Sequence, residues 1–191
     1  MRADARRNRK AVIEGARRVM AMKGLDAQMD EIAREAGVGV GTVYRHFPTK
    51  DDLIAALADY RFERLAEFAG DALEEEDAGA AFERYLTRAA ELTADDRALS
   101  EVMRDRPEAM QEAAQRVGLL ELTRRVMTRA QGAGAVRADA EAEDVPMMMS
   151  GLATSTPGCG GPFITAATWR RYLAITLDGL RAGGNTPMPP R

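Results

Sequence analysis

Apolar residues recur every three or four positions along almost the whole chain, and no stretch alternates long enough to build a sheet. Val12, Ile13, Ala16, Val19 and Met20 share one face of a first helix, which ends at Lys23-Gly24, a C-terminal signal. Met29, Ile32, Ala33 and Ala36 share a face of a second helix that Gly37 terminates, with Val38 as an apolar plug in the turn. Gly39 or Val40 opens a third, short helix running to about Phe47, with Val43 and Phe47 facing inward. Pro48 closes it, because the residue before a proline is pushed away from helical dihedrals. A fourth helix starts in Pro48-Thr49-Lys50-Asp51-Asp52, with Thr49 or Asp51 as its cap and acidic residues in its first turn. Leu53, Ala56, Leu57, Tyr60, Leu65 and Phe68 carry it to about Gly70.

Residues 71–79 are acidic and read as a loop. Phe82, Tyr85, Leu86, Ala89 and Leu92 mark the next helix, and Leu99, Val102 and Met103 a shorter one over about 96–104. Pro107 suits the first turn of a long helix to about Ala130, with Met110, Ala113, Ala114, Val117, Leu120 and Met127 inside. Gly132-Ala133-Gly134 breaks the chain and 136–144 is an acidic connector. Pro146 opens a strongly apolar helix over about 147–154, and 156–162 has the composition of a flexible loop. The last helix, about 164–181, carries Trp169, Tyr172, Leu173, Ile175, Thr176, Leu177 and Leu180. The Pro/Gly-rich tail, 184–191, is expected to be disordered. The pattern predicts an all-α fold of about nine helices without internal repeats. Its expected division is an N-terminal three-helix domain over 1–51 and a larger helical domain over 52–183.

Composition narrows this further. A chain of 191 residues can bury a substantial core, and 5% aromatic residues with abundant alanine favour closely packed helices. No run approaches the roughly 18 apolar residues of a membrane span, and no apolar segment follows the first charges as in a secretory signal. A single cysteine excludes an internal disulfide, so a soluble, cytoplasmic protein is expected. The net charge of −3 conceals an asymmetry: residues 1–50 hold 11 Lys+Arg against 6 Asp+Glu, a balance of +5. The remaining 16 basic and 24 acidic residues give −8, and all three lysines, Lys10, Lys23 and Lys50, lie in the first segment. A basic head on an acidic body suits a protein that offers one end to phosphate.

Helix, glycine turn and short second helix over 29–47 describe a helix-turn-helix, with Thr42, Tyr44, Arg45 and His46 as donors on its polar side. Ala16, Gly24, Ile32-Ala33, Ala36-Gly37-Val38, Gly41-Thr42-Val43-Tyr44, His46-Phe47 and Lys50 together resemble the DNA-binding domain of the tetracycline-repressor (TetR) family. This many matches in fixed order is specific, and it covers about the first quarter of the chain. The resemblance implies that the rest is a variable ligand-binding and dimerisation domain, and that the fourth helix transmits ligand occupancy to the head. It also implies that a basic arm over residues 1–8, expected to be frayed, lies against DNA, with Arg6, Arg7, Arg9 and Lys10 as phosphate contacts. Two positions depart from the family pattern. Gln28 stands where Ser or Thr usually caps the second helix, so either Asp26 caps instead or Gln28 meets phosphate without capping, and Glu31 loses its capping-box partner. Gly39 replaces a common Ser.

Within the third helix Arg45 is the candidate base reader, because a guanidinium pairs with guanine O6 and N7 in a bidentate manner. Val40 and Thr42 suit a thymine methyl, and Gly41 permits close backbone approach. Tyr44, His46 and Lys50 match the family's phosphate-contacting positions, and Gln28, Gly39 and Thr49 complete the expected DNA-binding set. The apolar excess of the last two helices fits the family's dimer interface, with Met147, Leu152, Trp169, Tyr172, Leu173, Thr176, Leu177 and Leu180 as its expected residues. Two-fold dimers reading half-sites gain affinity and specificity over one short helix. An effector pocket in the middle helices is expected to be lined by Phe62, Phe82, Tyr85, Leu86, Leu99, Met103, Met110, Val117, Leu120, Met127 and Met148, a Met-rich and adaptable set.

Enzymatic chemistry has no support in the sequence. His46 and Cys159 are the sole residues of their kinds and lie far apart, no nucleophile motif, phosphate loop or metal-ligand spacing occurs, and no cofactor is expected. Cys159, flanked by glycine, has no nearby base to activate it as a redox sensor. The sequence therefore reads as a ligand-responsive regulator, most simply a repressor, that binds a pseudo-palindromic double-stranded DNA operator as a homodimer. The competing reading is a helical small-molecule-binding or scaffold protein without sequence-specific DNA binding.

Overall fold

The computed structural model describes residues 2–95, 107–154, 168–183 and 186–189. Among them are nine α-helices: α1 (Arg2–Lys23), α2 (Met29–Glu35), α3 (Val40–His46), α4 (Lys50–Glu74), α5 (Ala78–Asp95), α6 (Pro107–Arg116), α7 (Leu119–Gly132), α8 (Asp144–Thr154) and α9 (Thr168–Leu180). A single 3-10 turn, Gly24–Asp26, follows α1, and the only extended pairing among the described residues is an isolated antiparallel bridge between Val136 and Arg181. The all-α expectation holds. The short helix expected over 96–104, with Leu99 and Met103, and the loop containing Cys159 fall outside the described residues.

Several boundaries differ from the sequence reading, each for a physical reason. The segment expected to fray is helical from Arg2, because residues 2–10 are mostly Arg, Ala and Lys without Gly or Pro, and Asp4 adds an acidic first turn paired with Arg7 at 2.5 Å. Helix α4 runs through Gly70 to Glu74, so the expected nine-residue loop shrinks to 75–77. Its C-terminal carbonyls are capped from far along the chain: the Arg129 guanidinium donates to Ala72 O at 2.9 Å, Leu73 O at 2.8 Å and Glu75 O at 2.7 Å. Asp77 starts α5 by accepting from the Gly79 and Ala80 amides, both at 3.0 Å. The long helix expected over 107–130 is two helices, because Gly118 adopts the left-handed conformation (φ 62°, ψ 34°) between α6 and α7. Part of the tail expected to be disordered is held: Arg137 donates to Thr186 O at 2.6 Å, and the Met188 amide donates to Asp139 at 3.1 Å.

The described residues form two compact units, 2–61 with 107–113, and 62–95 with 114–154, 168–183 and 186–189, the division between them falling inside α4. In the first unit α1 packs on both α2 and α3, closing a core of Val12, Ile13, Ala16, Met20, Ile32, Ala33, Val43 and Phe47. Met110, one of the expected pocket residues, is buried in this unit.

In the second unit α5 packs against α7, α8 and α9. Of the expected pocket residues, Phe62, Phe82, Tyr85, Leu86 and Met127 are buried and Val117 and Met148 half-buried, whereas Leu120 is 40% exposed. Leu120 sits in the first turn opened by Gly118, and splitting the long helix there changes the face it presents. The expected dimer set also divides. Leu152, Trp169, Leu173 and Leu180 belong to the core of the second unit, because α8 and α9 bury these faces against each other and α5. Tyr172 is half-buried, its hydroxyl filling the space that Gly151 leaves open on α8. Thr176 and Leu177 are half-buried, and the large apolar surface is carried by Met147 at 73% and Ile175 at 69% exposure.

Candidate nucleic-acid interface

The first unit builds its outward face from the α2–α3 turn. Helix α2 ends in the hydrogen-bond pattern that a left-handed residue after the C-cap produces. Gly37 (φ 66°) lets the Val38 amide reach back to Ala33 O at 3.0 Å and its own amide to Arg34 O at 3.2 Å. A side chain at position 37 would strain this turn. Gly39 then caps α3 with extended backbone, and Val43 and Phe47 anchor the short helix inside. With 43 and 47 inward, helical periodicity turns 40, 41, 44 and 45 outward together. Val40 is 45% and Tyr44 50% exposed, Gly41 and Arg45 are exposed, and Thr42 is half-buried. His46 is half-buried beside Phe47, ring centroids 6.3 Å apart, so its ring packs at the edge of the core.

The start of α2 corrects one expectation. Glu31 keeps a capping partner although no Ser or Thr precedes it: its carboxylate accepts from the Gln28 amide at 3.2 Å, while Gln28 turns its own side-chain amide onto Asp26 O at 2.9 Å. Lys23, at the end of α1, pairs with the other Glu31 oxygen. The Lys23 ammonium first, and the Gln28 amide second, hold the Glu31 carboxyl below its ordinary value. Because the folded-state value is depressed, the stabilisation is present above the unfolded carboxyl's pKa and lost as pH falls through the folded one. Glu31→Gln is therefore expected to lower Tm near pH 7, with the difference from the wild type shrinking as pH falls through the depressed folded-state value. Thermal melts of both proteins across that range check this, and a gap that persists in acid counts against the pairing.

Other contacts hold the face in place. Gly15 lets α1 approach the end of α2 so closely that a Cβ there would lie 3.0 Å from both the Cβ and the amide nitrogen of Ala36. Arg18 pairs with Glu35 at 2.6 Å, and Arg9 lies 5.4 Å over the Phe47 ring. Thr49 caps α4: its hydroxyl accepts from the Asp52 amide at 3.1 Å, and Asp52 accepts from the Thr49 amide at 2.9 Å. Lys50 donates to the carbonyl of Leu25, tying the start of α4 to the 3-10 turn. Thr49 is thus the cap that the sequence offered, whereas Lys50 has a structural duty that the sequence reading did not assign. Of the basic residues expected to form an arm, Arg7 pairs with Asp4, Lys10 lies 4.0 Å from Glu14, Arg9 covers Phe47, and Arg6 is exposed.

Gln28, Gly39, Val40, Gly41, Tyr44, Arg45 and Thr49 are thus all exposed in the first unit, with Thr42, His46 and Lys50 half-buried beside them. Gly39 and Gly41 face open space, where a Cβ would meet nothing within 4 Å. Sequence reasoning missed Gly15 and the Lys23–Glu31 pair. Gly15 had a readable signal: it sits between Val12 and Val19 on the buried face of α1, where a missing side chain marks close helix approach.

An all-helical chain whose first unit exposes a glycine-turned second helix with Arg45 and Tyr44 outward belongs to the helix-turn-helix class of nucleic-acid-binding proteins. Residues 12–57 match the family model for bacterial regulatory proteins of the tetR family, and residues 77–182 match that for the SbtR-like transcriptional regulator C-terminal domain. The TetR transcription regulatory protein from Mycobacterium vanbaalenii is 34% identical, over 94% of this chain and 98% of its own, with a TM-score of 0.71. A TetR transcriptional regulator from Streptomyces coelicolor is 29% identical over 92% of this chain and 99% of its own, with a TM-score of 0.70. An HTH-type transcriptional regulator of Staphylococcus aureus (strain USA300) is 44% identical over 54 residues, 28% of this chain, which thus spans 29% of that relative's length. The chain belongs to the TetR family of transcriptional regulators. No helix among the described residues is long and apolar enough to cross a membrane.

Proposed function

We propose that this chain is a sequence-specific DNA-binding regulator without enzymatic activity. In this reading it acts from the cytoplasm as a homodimeric repressor on a pseudo-palindromic operator, and a small molecule bound in its second unit releases it. The outward face of α3 carries the reading. Val40, Gly41, Tyr44 and Arg45 contribute nothing to the buried core that Val43 and Phe47 supply, so their identities are free to serve an external partner. Arg45 reads a guanine edge, and Tyr44, His46, Lys50, Thr49 and Gln28 position the head on phosphates. Exposed Met147 on α8 and Ile175 on α9 mark the surface that a second copy covers.

Gly41 sharpens the argument. Glycine inside a helix costs roughly 0.5–1 kcal/mol relative to alanine, and position 41 has room for a Cβ. Gly41→Ala is therefore expected to raise the stability of the head by about that amount while weakening DNA binding, because the new methyl meets the groove. Thermal melts and a gel shift on the same preparation check both halves, and undiminished DNA affinity would remove Gly41 from the interface.

The reading as a whole is tested by selecting bound sequences from a random duplex library at about 0.15 M salt. An enriched inverted repeat supports a dimer reading two half-sites. Binding at low salt without enrichment favours a protein with only generic attraction to DNA. A selected operator then serves to screen effectors, which act only by binding the two head spacings unequally.

A further inference from the structure

The second unit's interior is almost wholly apolar. Its described buried side chains include three polar ones, Thr93, Tyr85 and Thr123, and no acid or base. Thr93 is satisfied within its own helix, its hydroxyl donating to Ala89 O at 2.8 Å. Tyr85 on α5 and Thr123 on α7 differ: their hydroxyls meet each other at 2.7 Å, and each residue is 3% exposed. Two hydroxyls carry two donor hydrogens, and the bond between them uses one. Each hydroxyl thus has one partner, and whichever oxygen donates, one further O–H is left without an acceptor among the described residues and is available to a ligand. Burial also raises the Tyr85 pKa, so the phenol is neutral and remains a donor.

The neighbours set the rest of the chemistry. One turn on either side of Tyr85 lie Phe82 and Ala89, and one turn from Thr123 lies Met127, all buried. An ion brought here would find no counter-charge among the described buried residues of the second unit and would carry its desolvation penalty there. We propose that the Tyr85–Thr123 hydroxyl pair is the polar anchor for the effector. That effector is then an uncharged molecule with an apolar body and one acceptor oxygen, such as a carbonyl, ether or hydroxyl. This rests on the ligand-responsive reading above and names the class of ligand that the reading leaves open.

The experiment has two arms on the full chain. The first compares Tm for Tyr85→Phe, Thr123→Val and the double variant. A pair kept for a ligand leaves a donor wasted in the empty protein, so removing both hydroxyls is expected to leave Tm unchanged or raise it by a few degrees. The second arm measures binding of acetophenone, ethylbenzene and benzoate by calorimetry. Acetophenone is expected to bind the wild type about fivefold tighter than ethylbenzene, with benzoate weakest, and the double variant is expected to erase the preference. A double variant that loses several degrees overturns the proposal, as does acetophenone binding no tighter than ethylbenzene, or a preference that survives loss of both hydroxyls. Failure of the DNA-binding reading shows separately, as wild-type protein that enriches no operator.

Discussion

Arg45→Ala is expected to cost roughly 1–3 kcal/mol per half-site and to relax the operator at one position in each half, leaving the remaining positions as selective as before. Arg45 is exposed on the outward side of α3, and none of the observed hydrogen bonds or ion pairs of the head involves it, so its loss leaves the fold intact. The measurement is Kd on the selected operator, on single-base variants and on random duplex. A discriminating guanidinium loses affinity on the operator far more than on random DNA, because a phosphate contact contributes equally to every sequence. Equal losses on both would move Arg45 from reading to positioning, and the base contact would then have to come from Val40, Thr42 or Tyr44.

Gly15→Val is expected to destabilise the head by about 1–3 kcal/mol and to weaken operator binding with it. The obstacle is backbone: a Cβ would stand 3.0 Å from the Ala36 nitrogen, whose hydrogen bonds to Ile32 O at 2.9 Å within the end of α2. A flexible side chain could swing away, but this turn is fixed by the left-handed Gly37 next to it. The strain must therefore displace α2 from α1, and α3 follows α2 through a turn of only a few residues. Thermal melts and gel shifts on the variant test this, with Ala36→Gly as the second substitution. Partial recovery in the double variant is the expected coupling between touching residues. A Gly15→Val protein as stable as wild type would mean that the two helices do not need their close approach.

The head was largely legible because its signals are local. Gly37, Pro48 and the Thr49–Asp52 cap each act within five residues, so the spacing that predicts them also enforces them. The body was less legible, and two glycines show why. Gly70 sits inside α4 and Gly118 breaks α6 from α7, although both interrupt an otherwise helical pattern. What carries α4 past Gly70 is Arg129, more than fifty residues away, closing its last carbonyls. No window along the sequence contains that information. The apolar faces of the last two helices were half legible for a different reason. Apolar periodicity reports that a face is buried but not by what, so Leu152, Trp169, Leu173 and Leu180 read the same as the exposed Met147 and Ile175.

The division of labour around α3 has a practical consequence for rewiring gene circuits. Two side chains, Val43 and Phe47, fasten this seven-residue helix to the protein, while positions 40, 41, 44 and 45 are exposed to solvent. Those four codons form a cassette that can be randomised together without touching the core. Under the function proposed above, pairs of variants drawn from such a library would address different promoters while answering to the same chemical input.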